Sequence, residues 1–496
     1  MKKLIKIVSI IGLSTGALQG CIYGTISDSS TGDPVEDALA IVLSGNCSGA
    51  GCSTTFFGYP YETTDANGMY IFDAYDDDTV KDSTEIKVIT PASGEESIKF
   101  LMAASGYDSR VVYHKPDYEE ITNNGNTWLV SQVAETALCP TGSVDTDGDS
   151  LCDSAEAHYG TDPNNTDTDG DGISDTAELF GFNGVDLHRF GADPLHKDVF
   201  LEVDYYPGLK PDPAAIQMVI DAFANAPVSN PDGTTGIHLY IDVDDEIAAA
   251  DVDSDLNPVW TDFDVIKNAY FPARRNQLFH YVLFANQYNG GSSSGISRGI
   301  PAQDFVVSLG NWSTPGGTVQ QQAGTLMHEF GHNLGLRHGG NENTNYKINY
   351  LSIMSYTYQL RGLRVDGVDG NLDYSRLKIA SISESSLNES TAMAPASGTT
   401  EADLSHYGVR SYYGWLTGNA SNNLDFNRNG VIQTSVATDL DGDGNSTDTF
   451  NASQDDWVHL VFNGGNIGDD YLGASQGVAA VVVAADAMEP CMTEFQ

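Results

Sequence analysis

One stretch of eleven residues combines three histidines and a glutamate at spacings that suit metal-assisted chemistry. It runs from His328 to His338 and reads HEFGHNLGLRH. On a helix, His328 and His332 face the same side, so both imidazoles can bind one metal ion. Gly335 has no Cβ and can end the helix, so that the chain returns His338 as a third ligand. Three protein ligands leave one position for water, as in catalytic zinc sites, and Glu329 can take a proton from that water.

A second signal lies downstream, where Leu351–Tyr356 reads LSIMSY. Together with the histidine motif, this segment resembles the signature of the metzincin metallopeptidases, in which a methionine lies beneath the zinc site. The resemblance implies one catalytic zinc ion, Glu329 as general base and acid, a structural role for Met354, and a protein or peptide substrate. Tyr356 either reaches the zinc or the developing oxyanion, as in some metzincins, or is a core tyrosine behind the site. Gly339 matches none of the residues that mark the matrixins, adamalysins, astacins or serralysins, so the subfamily stays open.

Two acidic loops between residues 139 and 194 repeat a calcium-binding spacing. Carboxylates at positions 1, 3, 5, 9 and 12 of such a loop wrap oxygens around one Ca²⁺, and a bidentate glutamate closes the shell. The predicted ligands are Asp145, Asp147, Asp149, Asp153 and Glu156 in the first loop, and Asp167, Asp169, Asp171, Asp175 and Glu178 in the second. Gly172 provides the sharp turn of the second loop, and Ser150 replaces it in the first. The segment resembles thrombospondin type 3 repeats, which implies two or more structural calcium ions; a solvated acidic linker is the alternative.

Two further acidic loops, Asp425–Gly430 and Asp439–Gly444, begin in the same way. Neither has a glutamate at position 12, where Val436 and Phe450 stand. Because the closing ligand is missing from the spacing, the sequence leaves open whether these loops bind calcium.

The elements that must position the histidine motif can be predicted from its surroundings. Apolar residues at helical spacing predict a helix over Pro213–Ala226. The predicted strands are Val199–Tyr205, Gly236–Val243, His280–Asn286 and Phe305–Gly310, the zinc helix is Gln320–Leu334, and a last strand is Val478–Ala485. This order suits a metzincin-like α+β catalytic domain over residues 195–496. In that family the edge strand of the sheet pairs with an extended substrate.

Residues 22–138 read as short strands bounded by turn residues. They are similar to carboxypeptidase regulatory-like or transthyretin-like β-sandwich domains, which implies either a matrix- or glycan-binding module or a structural spacer. The predicted fold is therefore multidomain: an N-terminal all-β sandwich, a calcium-binding repeat linker over 139–194, and the α+β catalytic domain.

The first 21 residues have a basic start and a short apolar run, which predicts an export signal. Leu18–Cys21 resembles a bacterial lipobox, which implies lipidation at Cys21 and a cell-envelope lipoprotein; the alternative is an ordinary signal peptide and secretion. No later segment is long and apolar enough to span a bilayer, so we expect membrane attachment only through lipid. Cys47, Cys52, Cys139, Cys152 and Cys491 remain, and their pairing cannot be decided from the sequence.

The charge balance excludes one class of partner. The chain has 23 Lys and Arg against 69 Asp and Glu, a formal charge of −46, which argues against nucleic-acid binding. The sequence does not indicate the oligomeric state. The leading hypothesis is an exported zinc-dependent endopeptidase. The rival hypothesis is a surface adhesion or matrix-binding protein whose peptidase domain is vestigial.

Overall fold

The computed structural model describes residues 19–45, 55–56, 59–74, 90–117, 119–123 and 126–462. The predicted export signal before residue 19, Cys47, Cys52, Cys491 and the predicted strand Val478–Ala485 lie outside these ranges. The chain divides into two compact units, with the boundary between Leu195 and His196. We describe each unit by itself. In the described part of the chain, no helix has the length and apolar character needed to cross a bilayer.

The first unit contains two five-stranded sheets that face each other. Its strands are β1 (Gln19–Asp28), β2 (Leu39–Ser44), β3 (Thr55–Phe56), β4 (Tyr59–Thr63), β5 (Met69–Ala74), β6 (Ile98–Ala103), β7 (Arg110–His114), β8 (Glu119–Asn123), β9 (Asn126–Gln132) and β10 (Thr136–Leu138). One sheet has the order β10-β1-β9-β8 with β5 also paired to β1, and the other has the order β3-β4-β2-β6-β7. Phe72 of the first sheet packs on Phe100 of the second, with ring centroids 5.7 Å apart. The backbone of Cys21 lies in β1, opposite Asp73.

The acidic segment that was predicted as a linker contributes to the core of the first unit. It contains helices α1 (Asp153–Tyr159) and α2 (Asp175–Phe180) and a 3₁₀ turn at His188–Phe190. Leu151, Ala155 and Phe180 are buried in the same cluster as the sandwich residues. A disulfide joins Cys139 to Cys152. Apolar residues between the acidic positions therefore hold the segment against the sheets.

The second unit is built on a five-stranded sheet of order β12-β11-β13-β15-β14. The strands are β11 (Asp198–Tyr205), β12 (His238–Glu246), β13 (Phe279–Phe284), β14 (Gly295–Ser297) and β15 (Asp304–Val307). All pairings are parallel except that of the edge strand β14, which is antiparallel to β15. Helices α3 (Pro213–Ala224), α4 (Val259–Tyr270) and α5 (Val319–Asn333) accompany the sheet, with a 3₁₀ turn at Ala273–Arg275. Val199, Leu201 and Val203 of β11 share a core with α3 and α5.

Beyond α5 the chain has little regular structure and builds a second core. The short elements are β16 (Leu363–Val365), β17 (Val368–Asn371), β18 (Ile382–Ser383), α6 (Glu401–Ser405), β19 (Tyr407–Gly408), β20 (Arg410–Ser411), β21 (Gly414–Trp415) and β22 (Thr449–Phe450), with 3₁₀ turns at Glu384–Ser386 and Trp457–His459. Leu351, Leu404 and Leu440 are buried in this second core. Asp456 connects distant parts of the region, because its fully buried carboxylate accepts hydrogen bonds from the hydroxyls of Tyr350 (2.7 Å) and Ser352 (2.8 Å).

Candidate functional site

Helix α5 presents the histidine motif, and its two ends are well defined. At its start, the Thr318 hydroxyl accepts from the backbone N–H of Gln321 and the Gln321 side chain accepts from the backbone N–H of Thr318, which is a capping box. At its end, Gly335 has a φ of +92°, a left-handed conformation that side chains disfavour. The N–H of Leu336 then donates to the carbonyl of Gly331 at 2.8 Å. This turn reverses the chain and brings His338 back beside the helix.

The imidazole rings of His328, His332 and His338 lie close together. Ring centroids are 4.8 Å apart for His328 and His332, and 4.9 Å apart for His332 and His338. The Nε2 atoms of His332 and His338 are 3.2 Å apart. Two nitrogens bound to one tetrahedral zinc ion lie about 3.3 Å apart, because each Zn–N bond is about 2.0–2.1 Å. The rings thus converge as ligands of a single cation would.

The protonation of these rings also suits a metal site. Burial holds the pKa of His328 well below its usual range and lowers the pKa of His332 to about 4, so both imidazoles are neutral near pH 7. His328 Nδ1 is 3.0 Å from the carbonyl oxygen of Ile353, and His332 Nδ1 is 2.8 Å from that of Leu336. Carbonyl oxygens accept only, so both Nδ1 atoms carry protons and both Nε2 lone pairs are available for a metal.

Met354 supports the helix directly under the ligands. The side chain is fully buried, and a Cβ built on Gly331 would lie 2.3 Å from its Sδ. Gly331 stands on the helix between His328 and His332. The sulfur therefore packs on helix backbone that only a glycine leaves accessible, and the preceding residue, Ile353, orients the His328 ring.

The side chain of Glu329 extends from α5 towards the edge strand β14. Its side chain is buried, and burial raises its pKa to about 8, while the backbone N–H of Ser297 donates to the carboxylate and partly offsets this effect. A Cβ on Gly295 would lie 2.7 Å from Glu329 Cγ, so the strand packs closely against the glutamate side chain. The Ser297 hydroxyl in turn donates to Asn333 Oδ1 at 2.7 Å. Sequence reasoning missed Gly295 and Ser297, because no motif spacing connects them to Glu329.

Tyr356 lies beside the histidines and is partly open to solvent. Its ring centroid is 4.3 Å from that of His338 and 5.7 Å from that of His328, and 39% of the residue is exposed. Burial of the hydroxyl and the neighbouring charge of Glu329 raise its pKa to about 12. The phenol therefore keeps its proton at neutral pH and can donate a hydrogen bond to a nearby anion.

The first acidic loop of the first unit has the features of a cation site. Carboxylate oxygens of Asp145, Asp147 and Asp149 lie within 4.8 Å of one another. Glu156 is fully buried, and within the described part of the chain neither of its carboxylate oxygens has a hydrogen-bond partner. Burial and the charges of Asp147 and Asp149 raise the pKa of Glu156 to about 8. A buried carboxylate without donors beside other carboxylates is costly unless a cation joins them.

The second loop repeats the grouping of three aspartates with a buried glutamate. Asp167, Asp169 and Asp171 again offer oxygens within 4.8 Å of one another, and Glu178 is fully buried. Gly172 has a φ of +94°.

At the same position of the first loop, Ser150 adopts a φ of +76°, although it is not a glycine. The two loops therefore have the same backbone conformation at this position, and the first is the more strained because its residue has a side chain.

Asp153 and Asp175 differ from the other predicted calcium ligands. Asp153 accepts from the backbone N–H and the hydroxyl of Thr146, each at 2.9 Å. Asp175 accepts from the same two groups of Thr168, each at 2.8 Å. Both carboxylates thus stabilise the backbone of their loop through the threonine at its second position.

The two later acidic loops receive a buried glutamate from outside their own sequence. Glu384 accepts from the backbone N–H of Leu440 at 2.6 Å, and its oxygens lie within 4.8 Å of those of Asp439 and Asp441. Glu389 accepts from the backbone N–H of Asn427 at 3.2 Å. In the loop at Asp439, a glutamate from an earlier segment therefore lies beside the aspartates, which no local spacing could indicate.

Comparison with known families identifies the acidic segment. Residues 145–166 and 167–180 match the family described as bacterial TSP3 repeat. This match confirms the prediction of calcium-binding repeats for these residues. The histidine motif lies outside the matched residues, so the metzincin resemblance stays a prediction. A comparison with curated protein sequences finds no significant match.

Solved structures that are similar to part of the chain include three dioxygenases. Hydroxyquinol 1,2-dioxygenase from Pseudomonas putida is 14% identical over 26% of this chain and 59% of its own, with a TM-score of 0.16. Catechol 1,2-dioxygenase from Acinetobacter is 16% identical over 27% of this chain and 56% of its own, with a TM-score of 0.17. An intradiol ring-cleavage dioxygenase from Tetranychus urticae is 10% identical over 27% of this chain and 87% of its own, with a TM-score of 0.15. The chain thus spans less than two thirds of the first two, and at these TM-scores the likeness carries no argument.

Proposed function

We propose that this protein is a zinc-dependent endopeptidase of the metzincin type. The observation that carries the proposal is the convergence of three imidazoles beside a buried glutamate, with His332 and His338 Nε2 3.2 Å apart. The histidine motif, the Met354 turn and the antiparallel edge strand beside Glu329 add support. The donor set of three nitrogens with no cysteine suits a catalytic zinc ion better than a structural one.

The chain's own residues have defined tasks in peptide hydrolysis. A zinc ion bound by the three histidines would polarise the scissile carbonyl, acidify a water molecule and, by its charge, lower the pKa of Glu329. Glu329, held by the Ser297 N–H, takes the proton of the attacking water and passes it to the leaving nitrogen. Tyr356 keeps its proton and donates to the oxyanion that develops on the carbonyl oxygen.

Strand β14 is suited to hold the substrate next to Glu329. It is the edge of the sheet, and Gly295 and Ser297 contact the glutamate. An extended peptide that lies along this edge would have its scissile bond close to the candidate metal centre. Specificity among side chains would then come from the surfaces that flank the strand.

Inferences about stability, export and anchoring accompany this proposal. We infer that the calcium repeats stabilise the first unit, that the protein is exported, and that lipidation of Cys21 anchors it in the cell envelope. A protein or peptide is the substrate, and nucleic acid is not a partner.

Metal exchange tests the proposal. We expect the purified protein to cleave an unfolded protein, such as reduced and alkylated lactalbumin, at internal positions that mass spectrometry can map. A zinc chelator should abolish cleavage, and zinc, but not calcium, should restore it. Cleavage that persists after complete removal of zinc would contradict the proposal. If no protein is cleaved while the first unit alone binds matrix polymers, the adhesion hypothesis is favoured.

A further inference from the structure

Four tyrosines form a continuous row that begins at the candidate metal centre. The ring of Tyr356, which contacts His338, is followed by Tyr346 at 5.9 Å between centroids. Tyr412 lies 5.1 Å beyond Tyr346, and Tyr413 lies 5.3 Å beyond Tyr412. We call these four residues the tyrosine row. Its members include unusually open aromatic side chains, since Tyr412 is 47% exposed and Tyr413 is 53% exposed.

Contacts beneath the row hold its far end in place. The ring of Tyr412 lies directly over Gly442, where a Cβ would come within 2.4 Å of the ring. The hydroxyl of Tyr413 donates to Asp439 Oδ2 at 2.6 Å. Because the rings are already ordered, little conformational entropy is lost when a ligand binds to them.

The row ends at a polar cavity of about 490 Å³. Tyr413, Arg428 and Asp439 line it. The Arg428 guanidinium is fixed there, because it donates to the carbonyl oxygen of Tyr413 at 2.7 Å. The aromatic surface therefore leads from the metal centre to a recess with both positive and negative groups.

We propose that the tyrosine row binds the extended polypeptide chain of the substrate beyond the scissile bond. This inference rests on the proposed peptidase function, because the row starts at Tyr356 beside the candidate metal centre. A contiguous exposed aromatic surface is uncommon on soluble proteins and marks a binding site. Tyrosine rings bind apolar side chains, and their hydroxyls bind backbone amides. From Tyr356 to Tyr413, the row accommodates at most about five residues of extended chain.

The geometry of the row favours a polypeptide over a polysaccharide. Successive rings meet at interplanar angles of 65°, 90° and 87°. Sugar rings stack on flat aromatic faces, and edge-to-face neighbours do not form such a platform. Alternating faces and edges instead provide separate niches for successive side chains, and the polar cavity accepts a polar side chain at the far end.

Two quenched fluorescent peptides test this inference. Both contain one cleavage site; the short peptide has about three residues on each side of it, and the long peptide about eight. We measure kcat/KM for both with the wild type, with the double variant Tyr412→Ala/Tyr413→Ala, and with Val368→Ala, an exposed apolar control outside the row. We expect the ratio of long to short kcat/KM to fall about tenfold in the double variant and to stay at the wild-type value in the control.

The outcomes separate this inference from the proposed function. A wild-type ratio in the double variant would overturn the tyrosine row as a substrate site. If the wild type cleaves neither peptide, the proposed peptidase function fails. Whether the tyrosine row binds polypeptide is then decided by the fluorescence anisotropy of the labelled long peptide with Glu329→Gln protein. Weaker binding after the two alanine substitutions supports the row as a polypeptide surface, and absence of binding overturns it.

Two further checks keep the test decisive. Binding of chitohexaose in place of the peptide overturns the inference in favour of a glycan surface. If the double variant does not fold, as judged by circular dichroism, Tyr413→Ala alone replaces it, with an expected fall in the ratio of about threefold.

Discussion

Replacing Glu156 with glutamine should have opposite effects on stability with and without calcium. In the calcium-free protein, burial and nearby aspartates raise the pKa of Glu156 from 4.5 to about 8. The unfolded chain keeps the ordinary pKa, so the folded state holds a proton that the unfolded state releases. This difference lowers the free energy of unfolding as pH rises from about 4.5 towards 8. At pH 7 the loss is about 3 kcal/mol, at 1.36 kcal/mol for each pKa unit.

Glutamine removes this penalty because it cannot ionise, but it also removes a bidentate ligand. In a chelator at pH 7, Glu156→Gln should therefore raise the free energy of unfolding of the first unit by about 3 kcal/mol, with little effect near pH 4.5. In saturating calcium the wild type should be the more stable protein, since calcium binding raises its free energy of unfolding more than that of the variant.

Thermal unfolding of both proteins in chelator and in calcium, at pH 5 and pH 7, measures these differences. The matched control is Glu36→Gln, the same change at an exposed position of the first unit. We expect the control to follow the wild type in all conditions. If Glu156→Gln is destabilised equally in chelator and in calcium, Glu156 is a packing residue and the reasoning is refuted.

Three further predictions follow from buried contacts. Asp456→Ala leaves buried donors unpaired and should lower the free energy of unfolding in urea by about 3 kcal/mol; an unchanged midpoint would contradict this. Gly331→Ala would put a Cβ 2.3 Å from Met354 Sδ, so the helix that carries His328 and His332 must shift. We therefore expect less zinc per chain by elemental analysis, and full zinc content would count against the role of Met354. Serine at both Cys139 and Cys152 should cost about 2–4 kcal/mol, and non-reducing peptide mapping of the wild type should find this pair linked.

Elements that depend on local spacing could be predicted well from the sequence. The helix predicted over Gln320–Leu334 is observed one residue earlier, because a capping box at Thr318 fixes its start. β13 and β15 end before the predicted Asn286 and Gly310. There the chain turns, and the N–H of Gly310 donates to the carbonyl of Ala285 outside the regular ladder.

Contacts between distant segments could not be predicted. Asp456 anchors Ser352 across 104 residues, and neither position belongs to a recognisable motif. Glu384 reaches the loop at Asp439 from an earlier segment, so a search for glutamate at position 12 fails. Ser297 donates its backbone N–H to Glu329, a contact that any non-proline residue could make and that side-chain identity does not encode.

The most direct test of the central claim compares Glu329→Gln with the wild type in zinc content and in cleavage rate on the same samples. The account predicts about one zinc ion per chain in both proteins, because the three histidines are untouched. It also predicts that kcat/KM on an unfolded protein falls at least about a thousandfold in the variant, because the group that transfers the proton is lost. A variant that holds its zinc and cleaves at the wild-type rate would contradict the account.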